Sequence, residues 1–243
     1  GPARTSAPPA PTPSTMTAQP RAVLRVTLLG AVALSALLIA AHVLDVPAVP
    51  ALDLRDDNAQ GQDWYRALRV LGYAPVWFVV GLLYVLVDSG RAGGWRGALG
   101  RGPFIAASAA LSGALAEALK GVFMRGRPDA RVMHEPPLPE AERTFDYLFL
   151  ARGSVDWSDL GIPSSHTAVA FGAAAALSWL HPRVAPIMLA CAMGCGLTRV
   201  FSRAHYMSDI VAGALVGWLV CGAMVWADAY VRARRRIAAG GRA

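Results

Sequence analysis

Residues 208–230 read SDIVAGALVGWLVCGAMVWADAY, with no charged side chain between Asp209 and Asp228. Coiled as a helix rising about 1.5 Å per residue, this stretch crosses a hydrocarbon layer of about 30 Å. It is too long and too uniformly apolar for an ordinary strand or core helix, so it sets the reading of the whole chain. Comparable runs precede it at residues 184–201, 164–180, 103–123, 74–87 and 22–44. Together they predict an all-α polytopic membrane protein with six transmembrane helices. The run at 22–44 sits where a signal peptide would, but it exceeds a signal core and no cleavage site follows, so an anchored span is expected. Residues 62–71, QDWYRALRVL, place Trp64, Leu68 and Leu71 at helical spacing with Arg66 and Arg69 elsewhere. That pattern predicts a short helix lying at the membrane interface.

Composition agrees. Of the 243 residues 55% are hydrophobic and only 16% charged, against about a quarter charged in soluble domains. The net charge of +7 does not point to nucleic acid, because the arginines flank apolar runs and no nucleic-acid motif accompanies them. Cys191, Cys195 and Cys221 all fall inside apolar runs, which suits small packing residues better than a disulfide or metal framework. Residues 1–20 are expected to form a disordered tail, since the Pro-, Ala-, Ser- and Thr-rich opening cannot bury a core. The leading Gly1-Pro2 reads as a protease remnant, with Met16 as the natural start. The membrane domain is expected over residues 21–231 and a basic cytoplasmic tail over 232–243.

Arg21, Arg25, Arg91, Arg96, Arg101, Arg183 and the terminal arginines fall on the side of the termini, while the first opposite loop carries Asp45, Asp53, Asp56, Asp57 and Asp63. The positive-inside rule therefore predicts cytoplasmic termini. The expected location is a bacterial cytoplasmic (inner) membrane; the alanine- and arginine-rich composition is a hint of a high-GC bacterium and does not identify the source. The long loop at 124–161 then faces the periplasm or exterior, although its arginines run against the rule and require another explanation.

Polar clusters lie at the outward ends of these spans: KGVFMRGRP at 120–128, PSSH at 163–166 and TRVFSRAHYMSD at 198–209. Span counting alone places them on one membrane face. Lys120, Arg127 and Arg199 supply the positive charge and donors suited to a phosphate dianion. Ser164 and Ser165 open a helix, whose free N–H groups attract anions. Of two histidines at such a site, one can attack phosphorus in line while the other protonates the departing oxygen. Asp209, four residues after His205, is spaced to hold that ring in one tautomer.

These clusters resemble the signature of the type-2 phosphatidic acid phosphatases, which share their core with the vanadium haloperoxidases. The family pattern reads Lys-x6-Arg-Pro, Pro-Ser-Gly-His and Ser-Arg-x5-His-x3-Asp, and the resemblance covers about residues 103–230. It implies that His205 is the nucleophile forming a phosphohistidine, Asp209 its orienting partner, and His166 the general acid that later activates water. It implies phosphate binding by Lys120, Arg127, Ser164 and Arg199, helped by the Ser165 backbone N–H, with no metal and no cofactor. Ser165 and Thr198 depart from the family's Gly and Ser, both remaining small.

Taken singly, Lys120 and Arg199 could merely snorkel to the interface and His166 could merely cap a helix, but independent snorkelling does not explain the joint spacing. Arg125 and Arg203 neighbour signature positions without occupying them, so a surface or headgroup role is as fitting as an auxiliary one. Glu117 lies one turn before Lys120 inside a span, where a structural ion pair with Lys120 is favoured over a role in the substrate pocket. Gly213 and Gly217 form a small-xxx-small pattern expected to pack within the bundle. His42, His134 and His181 match no motif.

The expected partners are a lipid phosphate substrate and membrane lipids, without nucleic acid or an obligate protein partner. The expected activity is hydrolysis of a phosphomonoester or diphosphate on such a lipid. Undecaprenyl diphosphate, phosphatidylglycerol phosphate, phosphatidate and lipid A phosphate all fit a cationic site beside a bilayer, with specificity expected in residues 129–161 and 45–73. Rivals are a phosphotransferase on the same scaffold and a lipid transporter using the basic cleft for binding alone. A haloperoxidase would share the signature but is typically soluble.

Overall fold

The structure is a computed structural model that describes residues 13–54, 58–90, 100–128, 157 and 160–240. Its helices are α1 (Pro13–Ala51), α2 (Asp63–Val70), α3 (Ala74–Ser89), α4 (Arg101–Phe123), α5 (Ser165–Leu180), α6 (Ala185–Phe201) and α7 (Met207–Gly240), with short 3-10 turns before α2 and α6. The described residues hold no strand, only bridge residues such as those of the isolated antiparallel bridge between Gly126 and Leu160. The all-α expectation therefore holds for these residues.

α5 forms the axis. It packs against α4, α6 and α7, while α1 lies along α7, α3 along α4 and α2 along α6. Its sequence explains this place. Ala168, Ala170, Ala173, Ala174, Ala175 and Ala176 are buried with Gly172, so neighbouring backbones come close on every side. A Cβ at Gly217 would stand 2.6 Å from the Gly172 nitrogen, and one at Gly213 would collide with the Ser164 carbonyl. The glycine pair of α7 thus seats α5 within the bundle, as its spacing predicts.

Each of the six apolar runs forms a helix. By length and apolarity, four of the described helices are able to cross a membrane: α1, α4, α6 (with its preceding turn) and α7. A fifth is gained if α2 and α3, bent by 72° at their junction, are one broken span. α5 is apolar but only 16 residues long, about 24 Å of helix. Burial on several sides, rather than length, distinguishes it. α1 is the opposite case: Leu29, Ile39 and Val43 are each more than 70% exposed, an apolar flank that lipid would cover.

Three boundaries differ from the sequence reading. α1 begins at Pro13, inside the segment 1–20 expected to be a tail, and extends past residue 44 to Ala51. α7 runs through the basic residues to Gly240 instead of ending near 231. In α2 the buried side chain is Tyr65, whose hydroxyl donates to the Thr198 carbonyl at 2.9 Å, whereas Trp64 is 46% exposed and meets Phe201 edge-on. The helix is rotated from the Trp64–Leu68–Leu71 face because this buried hydrogen bond ties it to α6. The Trp77 indole donates to the Leu71 carbonyl at 2.8 Å and pins the bend between α2 and α3.

Candidate active site

The last turn of α4 delivers Lys120, and the helix stops at Met124 in a left-handed conformation (φ 48°). The chain beyond it is stitched to the approach to α5. The Gly161 N–H donates to the Arg125 carbonyl at 2.7 Å, and Arg127 Nε donates to the Leu160 carbonyl at 3.1 Å. Ser164 caps α5 in an extended conformation, and its N–H donates to the Asp209 carbonyl at 2.9 Å, joining the start of α5 to the start of α7. After α6, the N–H groups of Ala204 and His205 both donate to the Arg199 carbonyl, at 3.0 and 3.2 Å. That turn, through Arg203 at φ 52°, folds His205 back beside Arg199. The three clusters predicted to share a face are thereby brought to one end of the bundle.

His205 is fully buried, with Nδ1 3.4 Å from Asp209 Oδ2. The same carboxylate oxygen accepts the Tyr206 N–H at 3.0 Å. Burial pushes the His205 imidazole down to about 4, with Arg127 and Arg199 adding to the depression and Asp209 opposing it. The ring is therefore neutral at physiological pH, the state a nucleophilic nitrogen requires.

His166 sits on the first turn of α5, with the Tyr73 ring edge-on at 4.9 Å and the Gly72 backbone against it; a Cβ at Gly72 would stand 2.8 Å from His166 Cβ. It lies close enough to Arg199, Arg69 and Lys120 for their charges to act on it, with His205 also nearby. Three buried polar atoms here, Arg69 Nε, Arg199 Nε and His166 Nε2, have no hydrogen-bond partner among the described residues. Buried donors are left unsatisfied only at a cost of about 1–3 kcal/mol each, so this cluster is suited to an anionic ligand.

Lys120 is 3% exposed, and its Nζ meets Glu117 Oε1 at 2.8 Å. The ion pair expected from their spacing forms, with Ser165 and Trp157 also within hydrogen-bonding reach of Glu117. Ser165 opens α5 beside it, and Ser164 is buried, accepting a bond from the Thr167 hydroxyl at 3.1 Å.

Arg125 corrects the surface reading. It is 1% exposed, and its guanidinium donates to Asp209 Oδ1 at 2.9 Å, Ser208 Oγ at 2.6 Å and Asp45 Oδ2 at 2.7 Å. Burial works against its charge, but Asp209 and Asp45 more than compensate and hold its pKa above the ordinary arginine value. Removing one member of such a buried pair typically costs about 3–5 kcal/mol. Arg203, in contrast, lies half-buried at the rim, 3.7 Å from Asp53.

Two residues at this end were missed by the sequence reading. Asp45, read as the start of a polar loop, lies within α1 and is fully buried; its Oδ1 accepts the Ser208 N–H at 2.9 Å and its Oδ2 the Ser208 hydroxyl at 2.5 Å. His42 Nδ1 is 3.2 Å from the same Oδ2, so His42 does have a partner. The spacing of His42 and Asp45 by one turn, at the end of an otherwise apolar run, was the available signal. Arg69, expected only to lie off the Trp64–Leu68–Leu71 face, follows Tyr65 by four residues, on the side of α2 that meets Thr198 and Cys195 of α6. His134 and most of the expected specificity segment 129–161 lie outside the described residues. Among the described residues no group of three His, Cys, Asp or Glu side chains is arranged as a metal site.

The family model of the PAP2 superfamily matches residues 104–233, a segment holding all three clusters. A lipid A 1-phosphatase of Rhizobium etli is 33% identical over 119 residues, covering 48% of this chain and 46% of that protein. A lipid A 1-phosphatase of Rhizobium johnstonii is 32% identical over 116 residues, covering 48% and 43% respectively. The chain thus spans less than half the length of these curated relatives. Among solved structures, a transmembrane PAP2-type phosphatidylglycerolphosphate phosphatase from Bacillus subtilis aligns with a TM-score of 0.48 at 19% identity, over 85% of this chain and 94% of that one.

Proposed function

The chain belongs to the PAP2 superfamily, and from that premise we propose that it is an integral membrane phosphatase acting on a lipid phosphate, with six spans, cytoplasmic termini and an outward-facing site. The observation that carries this reading is the convergence of Arg69, Arg199 and His166, each with a buried nitrogen that has no partner among the described residues, beside a neutral His205 at one end of lipid-exposed helices. A phosphate placed there would bind Lys120, Arg127 and Arg199, the Ser164 hydroxyl and the Ser165 N–H, with Arg69 as a further donor. The lipid tail would remain along the apolar flanks of the bundle.

In this mechanism His205 attacks phosphorus and the phosphorus–oxygen bond to the lipid breaks. His166 gives its proton to the departing oxygen. A bound phosphate dianion among these cations would itself favour the protonated imidazole that this step requires. Water then attacks the phosphohistidine, His166 takes the proton, and the nitrogen–phosphorus bond breaks to release inorganic phosphate. Asp209 holds the Nδ1 side of His205 throughout, and the cations stabilise the charge on the transferring group. No step needs a metal. The lipid A 1-phosphatase relatives make a lipid A 1-phosphate the first substrate to examine.

The test is phosphate release from purified protein in detergent with EDTA, using lipid A 1-phosphate, phosphatidylglycerol phosphate, phosphatidate and undecaprenyl diphosphate. Release that survives EDTA in wild type and vanishes in His205→Ala is expected. No release from any of them by folded wild type, or release abolished by EDTA, contradicts the reading.

A further inference from the structure

Asp209 reaches His205 across 3.4 Å, beyond the usual 2.7–3.2 Å of a nitrogen–oxygen hydrogen bond. That contact is too long to fix the carboxylate by itself, so its orientation comes from its other bonds. The Tyr206 N–H holds Oδ2, and Arg125 Nη1 holds Oδ1. Arg125 is in turn fixed on its far side by Asp45, on one edge by Ser208, and by the Tyr206 ring 4.3 Å from its guanidinium carbon. Asp45 is anchored to the first turn of α7 by two bonds from Ser208, and His42 meets it from one turn earlier in α1.

Resting on the phosphatase reading above, we infer that Arg125 and Asp45 are positioning residues that aim Asp209 at His205. The planar guanidinium occupies one oxygen of Asp209 and leaves only the other to face the imidazole. It also separates two fully buried carboxylates. Without that cation the two carboxylates would face each other unbridged, and the aim of Asp209 Oδ2 that holds the Nδ1–H tautomer of His205 would be lost.

The arrangement joins elements distant in the chain. Asp45 lies in α1, outside the segment matched by the family model, and 163 residues separate it from Ser208. The orientation of the histidine dyad thus depends on a helix that contributes no signature residue. A purely structural ion pair between α1 and α7 would also be buried, but it would act on stability and leave the rate constant and the His205 tautomer unchanged.

The experiment uses the full chain in detergent, as Arg125→Lys and Asp45→Asn beside wild type. It measures kcat and KM for a hydrolysed lipid phosphate, together with nitrogen NMR of 15N-histidine-labelled protein. Arg125→Lys is expected to lower kcat about 10–100-fold and Asp45→Asn about tenfold, with KM within about twofold, as for residues that orient a reacting group. The His205 resonances should lose their single Nδ1–H tautomer in both variants. Folded variants with wild-type kcat and an unchanged tautomer, or with changes confined to KM, overturn the inference. If Arg125→Lys does not fold, Asp45→Asn, which preserves shape and an acceptor for Arg125, carries the same reading. If wild type hydrolyses no lipid phosphate, the functional reading fails, and the tautomer comparison then decides the positioning claim.

Discussion

The two histidines occupy opposite sides of one site, and the sides differ in how their polar groups are satisfied. Around His205, Arg125 donates to Asp209, Ser208 and Asp45, and Ser208 donates to Asp45, through bonds of 2.5–2.9 Å. Around His166, Arg69, Arg199 and the histidine itself each retain a buried nitrogen without a partner among the described residues. A saturated network resists rearrangement, and an unsaturated one gains most from a ligand carrying several acceptors. The difference separates the part of the site that orients from the part that receives.

Substitutions sharpen or break this contrast. Arg199→Gln, on the receiving side, should cut kcat/KM by about 100–1,000-fold, the scale seen when a donor to a developing anion is removed. Steady-state kinetics on a hydrolysed lipid phosphate read this directly, and a change below about threefold would remove Arg199 from the binding set. Arg69→Gln should act next most strongly, raising KM about tenfold while kcat changes less, because a donor that binds ground and transition state alike lowers KM alone. Unchanged KM there would mean that Arg69 Nε does not receive phosphate. On the orienting side, a Cβ at Gly161 would stand 2.8 Å from Asp209 Oδ2, so Gly161→Ala should lower kcat several-fold with KM held.

The smallest effect concerns pH. His205 titrates at about 4 in the folded protein, whereas an unfolded histidine titrates near 6.5. Between those values the unfolded state holds more protons, so this residue's contribution is complete above about 6.5 and is lost as pH falls toward 4. Thermal melts across that window should show a steeper loss of stability on acidification in wild type than in His205→Asn. Parallel curves would show that the His205 side is less enclosed than the structure describes.

What was legible in the sequence was local. The apolar runs needed only their own length, and each became a helix, although α5 does not meet a length test and is distinguished by its alanine-rich burial instead. Lys120, Arg127, Ser164, Arg199, His205 and Asp209 were legible because short spacings hold within a helix end or a tight turn. Asp45, Arg69 and Tyr65 were not, because their partners lie on distant segments and a helix's rotation about its axis is set by those partners. Arg125 illustrates the limit. Its sequence neighbourhood fits a solvated headgroup contact, and only the approach of α1 to α7 converts it into a buried bridge.

The most direct test of the account is a single turnover on a lipid phosphate carrying a radiolabelled phosphoryl group, quenched in alkaline denaturant and mapped by peptide mass spectrometry. The account predicts an acid-labile phosphoryl group on His205, formed and lost on the timescale of turnover and reduced in its rate of formation by Arg199→Gln. Label on His166 instead, or full turnover with no protein-bound phosphate at any time, would contradict it.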